Sequence, residues 1–149
     1  MSIFYEIEFA KYILPYHQDL MLFDSLICNR DRHLGNFGYL VDNNTGKYIS
    51  PAPIFDNGFS LLYGAAKGNM ADIPAYIKTI EGKYLPFDLQ AQLFIQPRHA
   101  AKLRKLLHFK FQKHPRYNVS DICLEKMSEM IQLRGKAILK IYDRREMSL

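Results

Sequence analysis

The chain has 149 residues, 48% of them hydrophobic, with 10 Tyr, 10 Phe and a formal net charge of +5. This is one domain's worth of sequence, able to build a real core and without low-complexity or disordered composition. No apolar run reaches the ~20 residues of a membrane span, Glu6 and Glu8 argue against a signal peptide, and the two cysteines, Cys28 and Cys123, are too few for a disulfide framework and lack metal-ligand spacing.

A reducing cytoplasm is therefore the expected setting. Ile3, Phe4, Ile7, Tyr12 and Ile13 predict a helix over 3–14, which Pro15 breaks or restarts. From Tyr16 onward, Leu20, Phe23 and Ile27, with Leu22 and Leu26 beside them, keep helical spacing with one broad buried face. That helix should stop near Cys28 or Asn29. Asp31 then sits on a loop just past a rigid helix end, a common placement for functional residues.

Phe37–Val41 reads as a strand, Asp42–Asn43–Asn44–Thr45–Gly46 as a turn, and Lys47–Tyr48–Ile49 as the return strand. Pro51 and Pro53 limit the pairing. Ile54–Phe55 leads to the turn Asp56–Asn57–Gly58. Asn36 precedes one strand and Asp56 follows the other, so the hairpin should bring them together. Gly64 to Pro74, rich in small residues, reads as a loop that either covers the site or simply connects. Pro86–Phe87–Asp88 opens a helix with Asp88 as a candidate N-cap. Pro97 starts another, with Leu103, Leu106, Leu107 and Phe111 on its apolar side and Pro115 at its end. The longest helix runs from Ser120 and Asp121 to about Arg145, with Met127 and Met130 as core filler. The expected architecture is mainly α (α+β): one domain over residues 1–149, helical, with a small β-hairpin at the site.

Phosphoryl transfer needs a carboxylate beside the attacking hydroxyl and oxygen ligands that hold Mg²⁺ against the phosphates. Asp31 and Asn36 have the protein-kinase separation, Asp, four residues, then Asn; Asp56 supplies a second metal carboxylate. Asn29–Arg30–Asp31 stands where protein kinases carry His-Arg-Asp. Each residue alone is an ordinary cap or turn former. It is the combination after an apolar helix, with a hairpin and then Asp–Asn–Gly, that carries specificity. His33 is either a proton shuttle or a brace for the loop, and the brace is favoured. Arg32 is a partner for a loop carboxylate or a phosphate. Gly35 and Gly38 are expected to permit tight backbone geometry.

The run Asp31–Arg32–His33–Leu34–Gly35–Asn36–Phe37–Gly38, followed by Ala52–Pro53–Ile54–Phe55–Asp56–Asn57–Gly58–Phe59–Ser60–Leu61–Leu62, resembles the C-terminal lobe of the HipA-like serine/threonine kinases of bacterial toxin–antitoxin systems. Leu85–Pro86–Phe87, with Gln90 and Gln92, is a weaker echo. Phosphatidylinositol kinases share the short Asp–Arg–His–x–x–Asn core, and the longer match favours the HipA-like family. The resemblance implies a kinase C-lobe that binds ATP and Mg²⁺, with Asp31 as catalytic base, Asn36 and Asp56 as metal ligands, and His33, Asn36 and Asp56 at the cofactor. It implies a protein hydroxyl as substrate and, for some members, a small DNA-binding antitoxin as partner. Only 30 residues precede Asp31, with one lysine, Lys11, and no glycine before Gly35. The N-lobe that covers the nucleotide is thus expected to be absent from this chain. The isolated chain is expected to be inactive, and to need an N-lobe-bearing partner or to serve as a non-catalytic regulator. The apolar surface an N-lobe covers would favour self-association.

One further feature stands apart. From Leu89 to Ser120 there is no Asp or Glu, while Arg98, Lys102, Arg104, Lys105, Lys110, Lys113 and Arg116 fall within it. This stretch is either a solvated helix face or a footprint for nucleic acid.

Overall fold

The computed structural model describes residues 3–65 and 67–147, the side chains of 3–10 and 67 excepted. Helix α1 runs unbroken from Ile3 to Ile27, with Pro15 inside it. The predicted break is thus corrected. Proline removes one i→i−4 bond, a local cost that a helix this long absorbs; the Pro15 carbonyl accepts from Arg98 Nη2 at 3.1 Å. The apolar residues expected at 3, 4 and 7 lie outside the described side chains. From Leu20 onward the helix is buried nearly all round, and Leu20, Asp24 and Ser25 are at most 1% exposed.

The end of α1 is where the site begins. Cys28 takes a left-handed φ of +54°, and the Asn29 N–H bonds back to the Asp24 carbonyl at 3.0 Å. This is a Schellman-type stop with Cys28 where glycine is usual. The carbonyls such an end leaves orphaned are covered from distant parts of the chain. Leu61 N–H bonds Ile27 O at 2.7 Å and Arg134 Nε bonds Ser25 O at 3.0 Å; a turn earlier, inside the helix, Gln90 Nε2 adds a bond to Met21 O at 2.8 Å. Burial pushes the Cys28 thiol up to about 11. At pH 8 Cys28 should therefore react with a disulfide reagent about 100-fold or more slower than an ordinary thiol of pKa about 8.5. Half-buried Cys123 should be the thiol titrated in the native chain, with Cys28 appearing only on denaturation. Two equally fast thiols would contradict this packing.

Strands β1 (Tyr39–Val41) and β2 (Tyr48–Pro51) pair antiparallel, Tyr39 opposite Pro51 and Leu40 opposite Ser50, with a register irregularity at Leu40/Val41. β1 starts two residues later than the sequence predicts and ends with it at Val41, while β2 starts one residue later and ends two later, at Pro51. The turn is built on Asp42, whose carboxylate accepts from the N–H groups of Asn44 and Thr45 and from the Thr45 hydroxyl at 2.8–3.0 Å. The hairpin is pinned to α1 by His17, bonded to the Tyr39 hydroxyl at 2.8 Å and edge-on to Phe37.

The stretch expected to be a loop over 64–74 instead holds helix α2 (Lys67–Ala71), followed by α3 (Ile73–Ile77). Asp72 caps α3 by accepting from Ala75 N at 2.9 Å, with Pro74 in the first turn, a start signal present in the sequence. Helix α4 spans Phe87–Phe94 with Pro86, not Asp88, at its N-cap; the Asp88 carboxylate turns instead to Arg134. Helix α5 (Pro97–Lys105) is followed by a 3-10 turn over Leu106–His108. The predicted continuation to Pro115 fails because the next segment lies along α6 (Asp121–Glu146). There Ser128 accepts from Phe111 N–H at 3.0 Å, and Gln132 donates to Phe109 O at 2.8 Å. Those side chains take the backbone groups a helix needs.

The core has two parts. Leu22, Leu26 and Ile27 of α1 pack with Ala91 of α4, Ile95 just beyond its end, Leu103 of α5, and Ile131 and Ile138 of α6. Cys28, Ile73, Tyr76, Ile80, Phe87 and Met130 form the second, under the α3–α4 connection, and Leu61 touches both. The result is mainly helical with one small hairpin, as the hydrophobic periodicity predicts. No helix among the described residues is long and apolar enough to cross a membrane.

Candidate active site

The loop after α1 is organised from beneath by one buried ion pair. Arg32, 3% exposed, meets Asp24, 1% exposed. Its Nε donates to Asp24 Oδ2 at 2.8 Å and its Nη2 to Asp24 Oδ1 at 3.0 Å. The same guanidinium donates through Nη1 to the carbonyls of Asn36 at 2.5 Å and Phe55 at 2.7 Å, and through Nη2 to Asn57 Oδ1 at 2.6 Å. A guanidinium has five N–H donors, and here each has an acceptor. Arg32 is thus committed to protein groups and is not available to a phosphate.

This arrangement joins the two segments the sequence singled out. The carbonyls of Asn36 and Phe55 share one nitrogen, so the ends of the two loops meet there. Asp56 follows directly, exposed, with a left-handed φ of +53°. Such a backbone is held by its surroundings at a cost of order 1–3 kcal/mol and is concentrated at functional sites. Among the described residues nothing pairs with the Asp56 carboxylate.

Asn29 sets the approach. Its Nδ2 donates to Asp24 Oδ1 at 3.1 Å and its Oδ1 accepts from Asp31 N–H at 3.1 Å. Asn36 is buried, and its Nδ2 donates to the Asp31 carbonyl at 2.9 Å, which leaves its Oδ1 as the acceptor. His33 accepts through Nδ1 from Gly35 N–H at 3.0 Å, while its Nε2 stands 4.0 Å from Asp31 Oδ2. A Cβ on Gly35 would lie 3.0 Å from the His33 ring, so glycine permits this brace. Gly38 has no such neighbour and no left-handed backbone; tight geometry is required at Gly35 and not there.

Asp31 lies at the surface, 39% exposed, and Lys83 Nζ donates to its Oδ1 at 2.9 Å. That hydrogen bond, with the charge behind it, holds the Asp31 carboxyl below its ordinary range. No motif or periodicity in the sequence pointed to Lys83. Arg30 is likewise placed from afar, on the Tyr63 carbonyl at 2.5 Å.

Asn36 Oδ1 and the Asp56 carboxylate are oxygen donors of the kind a hard cation takes, alongside water and phosphate oxygens. Among the described residues no group of three or more His, Cys, Asp or Glu side chains converges as a self-sufficient metal cage. A donor pair of this kind fits an ion delivered with its phosphates.

Within the basic stretch, Arg98 pairs with Asp19 at 2.8 Å, Arg104 with Asp143 at 3.5 Å and Lys113 with Asp121 at 2.6 Å. Each acid lies outside the acid-free stretch, so the fold returns negative charge to it.

No family model matches the sequence, and no curated protein does. Among solved structures, the crystal structure of the Helicobacter pylori proinflammatory kinase CtkA is similar, with a TM-score of 0.61 and 24% identity. The alignment covers 93% of this chain and 58% of that one. The chain therefore spans little more than half the length of that kinase, and the likeness establishes a kinase-like fold.

Proposed function

We propose that this chain is the catalytic-loop and metal-loop half of a HipA-like protein kinase, transferring a phosphoryl group from ATP to a protein Ser or Thr hydroxyl in concert with a nucleotide-covering lobe. The observation that carries the reading is the Arg32 clamp, which is anchored to Asp24 of α1 by two of its donors and with the other three locks the loop bearing Asp31 and Asn36 to the loop bearing Asp56. A scaffold with no site to maintain has no need of so exacting a junction between two exposed loops.

In this reading Asp31, a carboxylate ionised at neutral pH, receives the proton of the attacking hydroxyl. Asn36 Oδ1 and Asp56 would hold Mg²⁺, which when bound supplies charge neutralisation at the phosphates. His33 holds the loop shape through Gly35. Calorimetry checks the reading: ATP should bind in a Mg²⁺-dependent way, and Asp56→Ala should weaken it by about 10-fold or more, the loss of one charged ligand. Absence of Mg²⁺-dependent ATP binding by the wild-type chain would overturn it.

A further inference from the structure

Lys83 reaches Asp31 across 52 residues of sequence. The segment that delivers it, between α3 and α4, is tightly built. Ile80 and Phe87 are buried on either side, 8% and 4% exposed. A Cβ on Gly82 would lie 2.6 Å from the Leu85 carbonyl oxygen and 3.2 Å from the Phe87 ring. Glycine at 82 is therefore what lets the chain turn closely enough to set Lys83 over the loop.

Stability does not account for this construction. Lys83 and Asp31 are each 39% exposed, and ion pairs in that setting contribute little to folding. The pair instead places a compact, mobile positive charge beside the carboxylate assigned as base. An ammonium is the side-chain group suited to a phosphate oxygen as a point charge. Among the described residues, the other charged or titratable group facing Asp31 is His33, at 4.0 Å from the second carboxylate oxygen. Of the two arginines that flank Asp31 in sequence, Arg32 has no donor to spare and Arg30 is drawn to the Tyr63 carbonyl and ring.

We propose that Lys83 contacts the terminal phosphate of the bound nucleoside triphosphate, moving from Asp31 to the oxygens of the transferred group, with Gly82 as the residue that positions it. This rests on the kinase reading of the site. In the transfer, the hydroxyl oxygen forms the new bond to the terminal phosphorus and the bond to the bridging oxygen breaks. The electron pair leaves with the diphosphate, the hydroxyl proton goes to Asp31, and Lys83 stays protonated throughout.

The test is calorimetry with Mg·ATP and Mg·ADP on wild type, Lys83→Met, Lys83→Arg and Gly82→Ala, with Asp56→Ala as the control for the site itself. Lys83→Met should weaken Mg·ATP about 10-fold, as expected for one lost charge-assisted contact, and leave Mg·ADP unchanged. Lys83→Arg should recover part of the loss, and Gly82→Ala, which keeps the lysine but misplaces it, should resemble Lys83→Met. An unchanged circular dichroism spectrum and cooperative melting should show that Lys83→Met is folded, and carbon NMR should show its Asp31 carboxyl titrating higher with the pair removed. If Asp56→Ala weakens Mg·ATP while Lys83→Met binds it as wild type does, the kinase reading stands and the role of Lys83 is overturned. Tighter Mg·ATP binding by Lys83→Met also overturns it, making the lysine a blocking group. Failure of wild type to bind either nucleotide overturns both.

Discussion

Arg32→Ala is expected to destabilise the chain by about 3–5 kcal/mol, the range for removing one partner of a buried ion pair. Whole-domain stabilities are about 5–15 kcal/mol, so the variant should be marginally folded at room temperature. Three losses combine. Asp24 is left as an unpaired carboxylate at 1% exposure. The carbonyls of Asn36 and Phe55 lose the nitrogen they share. Asn57 loses its tether, and with it the turn after Asp56. Arg32→Lys should restore little, because one ammonium cannot span acceptors that a planar fork reaches from both sides. The double variant Asp24→Ala/Arg32→Ala should cost clearly less than the sum of the two single variants, since each single change strands the other's partner. Urea denaturation of the wild type and the four variants measures this. A loss under about 1 kcal/mol for Arg32→Ala would mean that the pair is an ornament of the loop and not its foundation.

Asp24 also shows what could and could not be read from the sequence. The loop motif, the hairpin and the helix leading to them were legible because each is written locally, in turn residues, helical spacing and the Asp-to-Asn separation. Arg32 was legible as a candidate partner for a charge, but its partner was not. Asp24 sits eight residues earlier on an apolar helix, between Phe23 and Ser25, and a carboxylate there looks like a surface position until the helix proves buried nearly all round. The clue was available: an acid inside the broad apolar face of a helix that ends at the motif is an acid in need of a cation.

Other misreadings share a cause. The helix predicted through Phe111 to Pro115 ends early because Ser128 and Gln132, some twenty residues on, take its backbone groups. Asp88 looked like a cap and serves as the partner of Arg134. Lys83 was invisible because its meaning lies in a contact over 52 residues. The α3 start was missed for a different reason: the Asp72–Ile73–Pro74 signal was local and legible, but the small residues before it invited a loop reading.

Arg134 provides the second large effect. It is 4% exposed in the middle of α6, and its Nε covers the Ser25 carbonyl at the end of α1, 109 residues away. Its Nη1 reaches Asp88 at 2.7 Å, its guanidinium carbon lies 5.9 Å from the centre of the Phe87 ring, and its Nη2 is buried without a partner among the described residues. One side chain thus joins α6 to the end of α1 and the start of α4, beneath the loop that carries Asp31. Arg134→Ala should cost about 3 kcal/mol, combining a stranded helix-end carbonyl with a cavity where the long side chain packed. Arg134→Leu should cost less, since it refills much of the volume and removes the unpaired Nη2 along with the useful Nε. Asp88→Ala should cost less than Arg134→Ala, because the Asp88 side chain is 68% exposed, so that its removal opens the Nη1 end of the otherwise buried Arg134 to water and leaves the Ser25 cover in place. The contrast tests the assignment. If Asp88→Ala were as damaging as Arg134→Ala, the ion pair would be the stabilising element, and the cover over Ser25 O would be incidental. A large Arg134 effect with a small Asp88 effect would place the stabilisation at the end of α1, the support from which the Asn29–Asn36 loop departs.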